Sequence, residues 1–142
     1  MNDKVYIHEF IDIIGHNRAR YMHHMTANWV PVARAERNQQ CFGVWATVGS
    51  TGRWPEVVNM WELDGWPGLV ANFSHELVGA GAQDTSLAEW WSVAASLRRG
   101  GVDRIVVPAP GDEDRDAPAP SSAGRLRGAR RRGPHVLRRT SW

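Results

Sequence analysis

Polar and aromatic side chains recur at helical spacing near the start of the chain. They follow the spacing i, i+4, i+7 and i+11 and are Asn17, Tyr21, His24 and Asn28. Side chains at these intervals share one face of a helix, and histidine is the group that most often acts as a general acid or base. The pattern therefore predicts His24 and Tyr21 as catalytic residues and Asn28 as a ligand-binding residue. The alternative interpretation is a partly exposed helix edge whose polar groups are already satisfied.

Tryptophan is the second residue type that could take part in binding, because the chain has eight. Indole rings stack on flat organic ligands, and they also fill cores and interfaces. Trp45 and Trp61 lie on two segments that we expect to pair as strands, so we predict that they line one aromatic cavity. His8 joins them among the predicted ligand-binding residues. The alternative is that the tryptophans serve only packing.

The spacing of histidine and cysteine does not indicate a metal site. His16 and His23 are seven residues apart, and a third ligand such as His8 or Glu9 would still be needed. No HExxH or His-x-His pattern occurs, so we expect neither a metal nor a cofactor. The single cysteine, Cys41, excludes an internal disulfide and is expected to be a small buried side chain of a strand.

Apolar patterning in the first half predicts three strands and one interrupted helix. Residues 5–11 are rich in β-branched and aromatic types on both faces, which is typical of a strand covered on both sides. A helix is predicted over 17–37, with a kink or restart at Pro31. Strands at 41–48 and 54–63 follow, joined by a glycine-containing hairpin loop.

The second half predicts a split helix and a last strand. Asp64 is a candidate N-cap with Pro67 in the first turn of a helix that ends near residue 79. Ser86 and Glu89 have the spacing of a capping box for the next helix. Gly100 and Gly101 are expected to stop that helix before a strand over 102–107.

This order of elements predicts the fold class. Strand, helix, strand, strand, split helix and strand give an α+β, ferredoxin-like βαββαβ fold. It has a four-stranded antiparallel sheet with helices on one face. The other face is also apolar, so a second copy of the chain is its simplest cover, and we predict a homodimer.

Composition changes near residue 110. Residues 1–111 carry nine Lys/Arg and eleven Asp/Glu, whereas residues 112–142 carry eight Arg and four acids. We predict a domain over 1–110 and a disordered Arg/Pro/Ala/Gly-rich tail over 111–142, which is either native or an out-of-frame or truncated end. Nucleic acid is an expected partner only through this basic tail. Neither a bilayer-spanning stretch nor a signal peptide is present in the sequence, so we predict a cytoplasmic protein without membrane contact.

Two strand sequences resemble the NIPSNAP family. They are Trp54-Pro-Glu-Val-Val-Asn-Met-Trp-Glu-Leu followed by Asp64-Gly-Trp, and Phe42-Gly-Val-Trp-Ala-Thr-Val-Gly-Ser. The resemblance covers residues 4–107 and implies a dimeric α/β-barrel domain of the ferredoxin-like type. Such domains often occur in tandem in the family, and the tail of this chain stands where a second would begin. The family has no agreed catalytic residues, so the resemblance transfers none.

These observations together predict a protein that binds or converts a small hydrophobic or aromatic molecule in a pocket between sheet and helices. If it is an enzyme, cofactor-free oxygenation or isomerisation with His24 and Tyr21 is the expected chemistry. The alternative is a non-catalytic dimeric interaction or structural protein, in which the same tryptophans only build the dimer.

Overall fold

Strands and helices alternate along the chain in the predicted order. The computed structural model describes residues 2–49, 52–77 and 83–110, so the predicted tail lies outside the described residues. The strands are β1 (Val5–Ile13), β2 (Gln40–Ala46), β3 (Glu56–Leu63) and β4 (Arg98–Val106). The helices are α1 (Arg18–His24), a π-helical turn (Met25–Trp29), α2 (Val30–Arg37), α3 (Gly65–His75) and α4 (Thr85–Ala94). Among the described residues, no helix is both long and apolar enough to cross a bilayer.

The sheet has the topology expected from the sequence. Its strand order is β2-β3-β1-β4, and each neighbouring pair is antiparallel. Each of the two outer connections carries helices, and both place them on the same face of the sheet. The α+β, ferredoxin-like fold is therefore confirmed.

The hydrophobic core lies between this helical layer and the sheet. Successive strand residues point to opposite faces, so β1 directs Ile7 and Ile11 towards the helices, where both are buried. The partners Trp61 and Val57 on β3 point the same way and are buried beside them. The helices complete the core with buried Tyr21, Met25, Trp29, Ala33, Leu87, Trp90 and Ala94.

The predicted interruption of the first helix is confirmed. Pro31 lacks an N–H and cannot donate to a preceding turn, and it stands in the first turn of α2. The π-helical turn immediately before α2 joins the two helices, so the chain continues helically past the proline. Asn38 then ends α2 in the left-handed region, at φ 48°.

The start of α3 agrees with the sequence prediction, whereas the start of α4 differs. Asp64 occupies the N-cap position of α3, but its carboxylate accepts from Lys4 Nζ and Asn38 Nδ2 instead of capping the helix. The capping box at Ser86 and Glu89 is wrong. Asp84 caps α4, and its Oδ2 accepts from the Leu87 N–H at 3.1 Å. The Asp84 carboxylate, two residues before Ser86, therefore caps α4 in place of the serine.

The glycine pair at 100–101 does not stop a helix, contrary to prediction. The helix α4 ends at Ala94, and both glycines lie within β4. A Cβ at Gly101 would come within 2.6 Å of the Phe10 carbonyl oxygen. The residue therefore allows β4 to approach β1 closely.

The sheet face away from the helices is rich in apolar side chains, and we call it the open sheet face. The strand registers place on it Tyr6, His8, Phe10, Val58, Met60, Val102, Arg104 and Val106. Phe42 and Trp45 on β2 belong to the same face, since Phe42 contacts the Tyr6 ring and Trp45 pairs with Val58. Trp45 and Val102 are 48% and 50% exposed, so the described residues leave this face largely uncovered.

Candidate functional site

The six residues predicted from sequence as site residues do not form one site. The structure divides them into three pairs, in the core under the helices, in the groove between α1 and α4, and on the open sheet face. Tyr21 and Trp61 lie in the core, His24 and Asn28 lie in the groove, and His8 and Trp45 lie on the open sheet face.

Both ring nitrogens of His24 make hydrogen bonds. Its Nε2 lies 2.9 Å from the Trp90 carbonyl oxygen, which can only accept, so Nε2 carries a proton. Its Nδ1 then accepts from Asn28 Nδ2 at 3.0 Å. The ring also stacks on the Trp90 indole, with centroids 5.2 Å apart and planes within 3°. This arrangement joins α1 to α4 and favours a structural role, so a catalytic role for His24 stays a prediction that its contacts do not support.

The predicted pairing of Trp45 with Trp61 is wrong. Trp61 pairs with Cys41 and points towards the helices, whereas Trp45 pairs with Val58 and lies on the open sheet face. The register between β2 and β3 shifts between Cys41 and Gly43, and such an irregularity changes which side chains share a face. Sequence alternation alone cannot locate it.

His8 also lies away from the helices. It stands opposite Met60 on β3 and Arg104 on β4. It therefore shares the open sheet face with Trp45 and cannot contact a ligand held between sheet and helices. As ligand-binding residues, both could act only on that face.

A cavity of about 180 Å³ lies between the sheet and the helices, and we call it the sheet–helix cavity. Its apolar wall is formed by Ile7, Met25, Trp29, Phe73, Leu87, Trp90 and Trp91. Its polar wall is formed by Glu9, Arg37, Gln39, Asn72, Glu76, Arg98 and Asp103. Small-molecule sites combine apolar and aromatic walls with convergent polar groups, and this cavity has both, with polar and charged residues making up half of its lining.

Two carboxyl groups face each other across neighbouring strands at this cavity. Glu9 on β1 is directly opposite Asp103 on β4, and both point to the helix side. Burial raises the pKa of Glu9 above its ordinary value, and the nearby Asp103 carboxylate raises it further. Partial burial also raises the pKa of Asp103, although Arg98 opposes this shift. A raised pKa is a common property of the carboxyl groups that act as general acids in enzymes.

Asn59 on β3 holds the Glu9 carboxylate in place. Asn59 Nδ2 donates to Glu9 Oε2 at 2.8 Å. The Trp61 indole N–H also favours the ionised form and so lowers the Glu9 pKa slightly, although it makes no full hydrogen bond. Asn59 is fully buried. Glu9 is therefore fixed in position by the sheet.

Buried polar atoms around this carboxylate lack partners among the described residues. They are the Tyr21 hydroxyl, Asn59 Oδ1 and Trp61 Nε1. Burial raises the pKa of Tyr21 to about 12, so its hydroxyl stays protonated and can donate. A buried polar atom without a partner costs about 1–3 kcal/mol. Such a group commonly marks a place for water or a ligand.

Arg98 brings a positive charge to the same end of the cavity. Its guanidinium lies over the Trp91 ring, 5.0 Å from the centroid. A Cβ at Gly101 would stand 3.3 Å from Arg98 Nη2, so the glycine leaves room for the guanidinium. Arg98 thus lies close enough to lower the pKa values of both Glu9 and Asp103.

The far end of the cavity is closed by a buried arginine. Arg37 Nη1 donates to Glu76 at 3.0 Å, and Nη2 donates to Asp84 at 3.3 Å. The guanidinium also lies 5.0 Å from the centroid of the Trp29 ring. These contacts tie α2 to α3 and α4, so we assign Arg37 a structural role.

Sequence reasoning missed Glu9, Arg98 and Asp103 as members of one site. The first had a usable signal, because an acid interrupts the otherwise apolar face made by Val5, Ile7 and Ile11. Asp103 had none, since its place opposite Glu9 depends on the register of strands that are far apart in the chain.

Comparison with known proteins supports the fold. No protein-family model and no curated protein matches the sequence. An uncharacterized NIPSNAP-like domain protein from Burkholderia xenovorans is 12% identical, with a TM-score of 0.62 over 78% of this chain and 90% of that one. A NIPSNAP family protein from Agrobacterium tumefaciens is 14% identical, with a TM-score of 0.61 over 76% and 95%. The resemblance to the NIPSNAP family is thus confirmed at the level of the fold.

Proposed function

We propose that the protein binds a small aromatic molecule in the sheet–helix cavity. The observation that carries this proposal is a hollow walled by Trp29, Trp90 and Trp91 that ends on the carboxyl group of Glu9. The indole rings supply apolar and stacking surface for a flat ring. The carboxyl group supplies a partner for one polar substituent.

The size of the cavity limits the ligand to about one ring. An apolar cavity of about 150 Å³ in another protein holds a benzene molecule, and this one measures about 180 Å³. A single ring with one or two small substituents therefore fits, whereas a polycyclic molecule would require the helices to move apart.

Proton transfer is the chemistry that the polar end of the cavity offers. Glu9 has a raised pKa and a fixed carboxylate, and Tyr21 is a buried phenol behind the cavity wall that is close enough to feel the charge of Glu9. If the protein is an enzyme, we expect Glu9 to act as general base or acid and Tyr21 to donate a hydrogen bond. An isomerisation that moves a proton between two atoms of a bound ring fits this pair.

Binding can be tested with phenol and toluene, which have the same shape but differ in one hydroxyl group. We expect saturable quenching of tryptophan fluorescence by both, with phenol bound more tightly. Glu9→Leu should weaken the binding of phenol by about tenfold, since a hydrogen bond to a charged group contributes about 1.5–3 kcal/mol. The binding of toluene should be unchanged. The matched control is Glu62→Leu, which alters an acid on the other face of the sheet. Absence of saturable quenching by either compound would contradict the proposal.

The second candidate function is a non-catalytic homodimer. It is favoured by the open sheet face, where exposed Phe42, Trp45 and Val102 form part of one apolar surface. Contiguous apolar surface of this kind commonly marks a protein contact. A second copy that packs on this face would cover it and leave the sheet–helix cavity unchanged.

A further inference from the structure

Three potential metal ligands from three helical segments converge outside the sheet–helix cavity. Glu36 lies on α2, His75 ends α3, and Asp84 caps α4. One nitrogen or oxygen atom from each lies within 4.8 Å of the other two. His75 Nε2 is 3.6 Å from Asp84 Oδ1. The sequence gives no signal of this group, because the members are separated by 39 and 9 positions.

Neighbouring groups already hold two of these ligands in place. Asp84 Oδ2 accepts hydrogen bonds from the Leu87 N–H and from Arg37. The other carboxylate oxygen, Oδ1, faces His75. Glu36 accepts a hydrogen bond from the Ser86 hydroxyl at 3.3 Å. Outer hydrogen bonds of this kind orient the ligands in metal sites.

The local charge favours a cation. Three carboxylates lie in this region, on Glu36, Asp84 and Glu76, while Arg37 contributes the guanidinium that contacts two of them. The net negative charge of these four side chains equals the positive charge of one divalent ion. Histidine nitrogen and carboxylate oxygen are together a donor set that Zn²⁺ accepts.

We propose that Glu36, His75 and Asp84 bind one Zn²⁺ ion that links α2, α3 and α4. Zinc bonds of about 2.0–2.2 Å require the three ligand atoms to lie roughly 3.3–3.6 Å apart. The exposed His75 side chain can turn by the small amount that this closure needs, and the exposed Glu36 side chain is held only by the 3.3 Å hydrogen bond from Ser86. Water completes the coordination at the remaining position.

Isothermal titration of the full chain with ZnCl₂ tests the site. We expect one ion per chain, with the dissociation constant raised at least tenfold by His75→Ala and by Glu36→Gln. Asp84 is left unchanged in these variants because it also caps α4 and pairs with Arg37. His23→Ala is the matched control, since His23 is an exposed helical histidine outside the group, and its affinity should equal that of the unmodified chain.

Substitution of Co²⁺ gives a second measurement. We expect a visible absorption band typical of four-coordinate Co²⁺ that is lost in His75→Ala and retained in His23→Ala. The proposal is overturned if the chain binds no Zn²⁺ at a ratio of one, or if His75→Ala binds as tightly as the unmodified chain.

Discussion

At the scale of residues, the carboxyl group that we propose as the acid–base centre lies on the sheet, and not on the helix that the sequence favoured. The stripe of Tyr21, His24 and Asn28 is helical as predicted, but His24 is engaged by Trp90, which lies 66 positions away. Helical spacing identifies which side chains share a face, and it carries no information about distant partners. The sequence signal at Glu9 is different, because Glu9 is a charged residue within an apolar strand face. In the structure this residue lines the cavity.

The titration of Glu9 should affect stability. Its pKa is raised in the folded protein above its ordinary value of 4.5, so the folded state binds more protons than the unfolded state just above that pH. Stability therefore falls as pH rises from about 4.5 through the folded pKa and stays level above it. We predict that Glu9→Gln is more stable than the unmodified chain at pH 7 and loses this part of the slope.

Urea unfolding at pH 4, 5, 6 and 7 measures this effect. Glu62→Gln is the control, because Glu62 is an acid on the other face of the sheet and the slope should persist in this variant. A Glu9→Gln variant with the unmodified slope would show that Glu9 does not titrate abnormally.

The contacts of His24 predict a loss of stability without a specific loss of binding. Removal of its ring leaves the buried Trp90 carbonyl without a side-chain partner and deletes the stacked ring pair. We expect His24→Ala to lower the free energy of unfolding by about 2–3 kcal/mol, from hydrogen bonds and ring contact together. Asn28→Ala, which removes only the outer hydrogen bond, should cost less than half as much in the same urea titration. Loss of phenol binding in folded His24→Ala would instead support a role for His24 in ligand binding.

At the scale of elements, the sequence predicted strand and helix types well and their ends less well. Alternating apolar residues in β1 and the proline in α2 act locally, so their effects could be inferred directly. The start of α4 depends on which of Asp84 and Ser86 supplies the cap, and both residue types are suitable. Gly100 and Gly101 looked like a helix stop, yet both lie in β4, and Gly101 allows the close contact of β4 with β1.

Close packing at Gly101 predicts a specific sensitivity of β4. A methyl group there would meet the Phe10 carbonyl oxygen at 2.6 Å and crowd Arg98, so β4 must shift away from β1. We expect Gly101→Ala to destabilise the fold by about 1–3 kcal/mol, which is typical of overpacking. Gly52→Ala is the control, because no atom lies within 4 Å of the added carbon. Equal stability of the two variants in urea would contradict this packing.

At the scale of the whole molecule, the part of the chain that the structure describes leaves one side of the sheet uncovered. Both faces of β1 were predicted to be apolar, and the structure bears this out for Ile7 on one face and Phe10 on the other. The helices cover only the first. Sequence could indicate that a cover is needed, but it could not locate the β2 irregularity that places Trp45 on the uncovered side.

The proposed dimer can be tested with two exposed tryptophans. Trp45 lies on the open sheet face and is 48% exposed, whereas Trp66 lies on α3 and is 59% exposed. We predict that the full chain sediments as a dimer, that Trp45→Glu sediments as a monomer, and that Trp66→Glu remains dimeric. A monomeric unmodified chain, or equal dissociation by both changes, would contradict this interface.

The central proposal is that the ligand occupies the sheet–helix cavity, and the most direct test is a methyl NMR titration with phenol. We predict saturable shifts for the methyl groups of Ile7, Met25 and Leu87, which line the cavity. The methyl groups of Val58, Met60 and Val102 on the open sheet face should not shift. Shifts confined to the open sheet face, or no shifts up to saturating phenol, would contradict the proposed site.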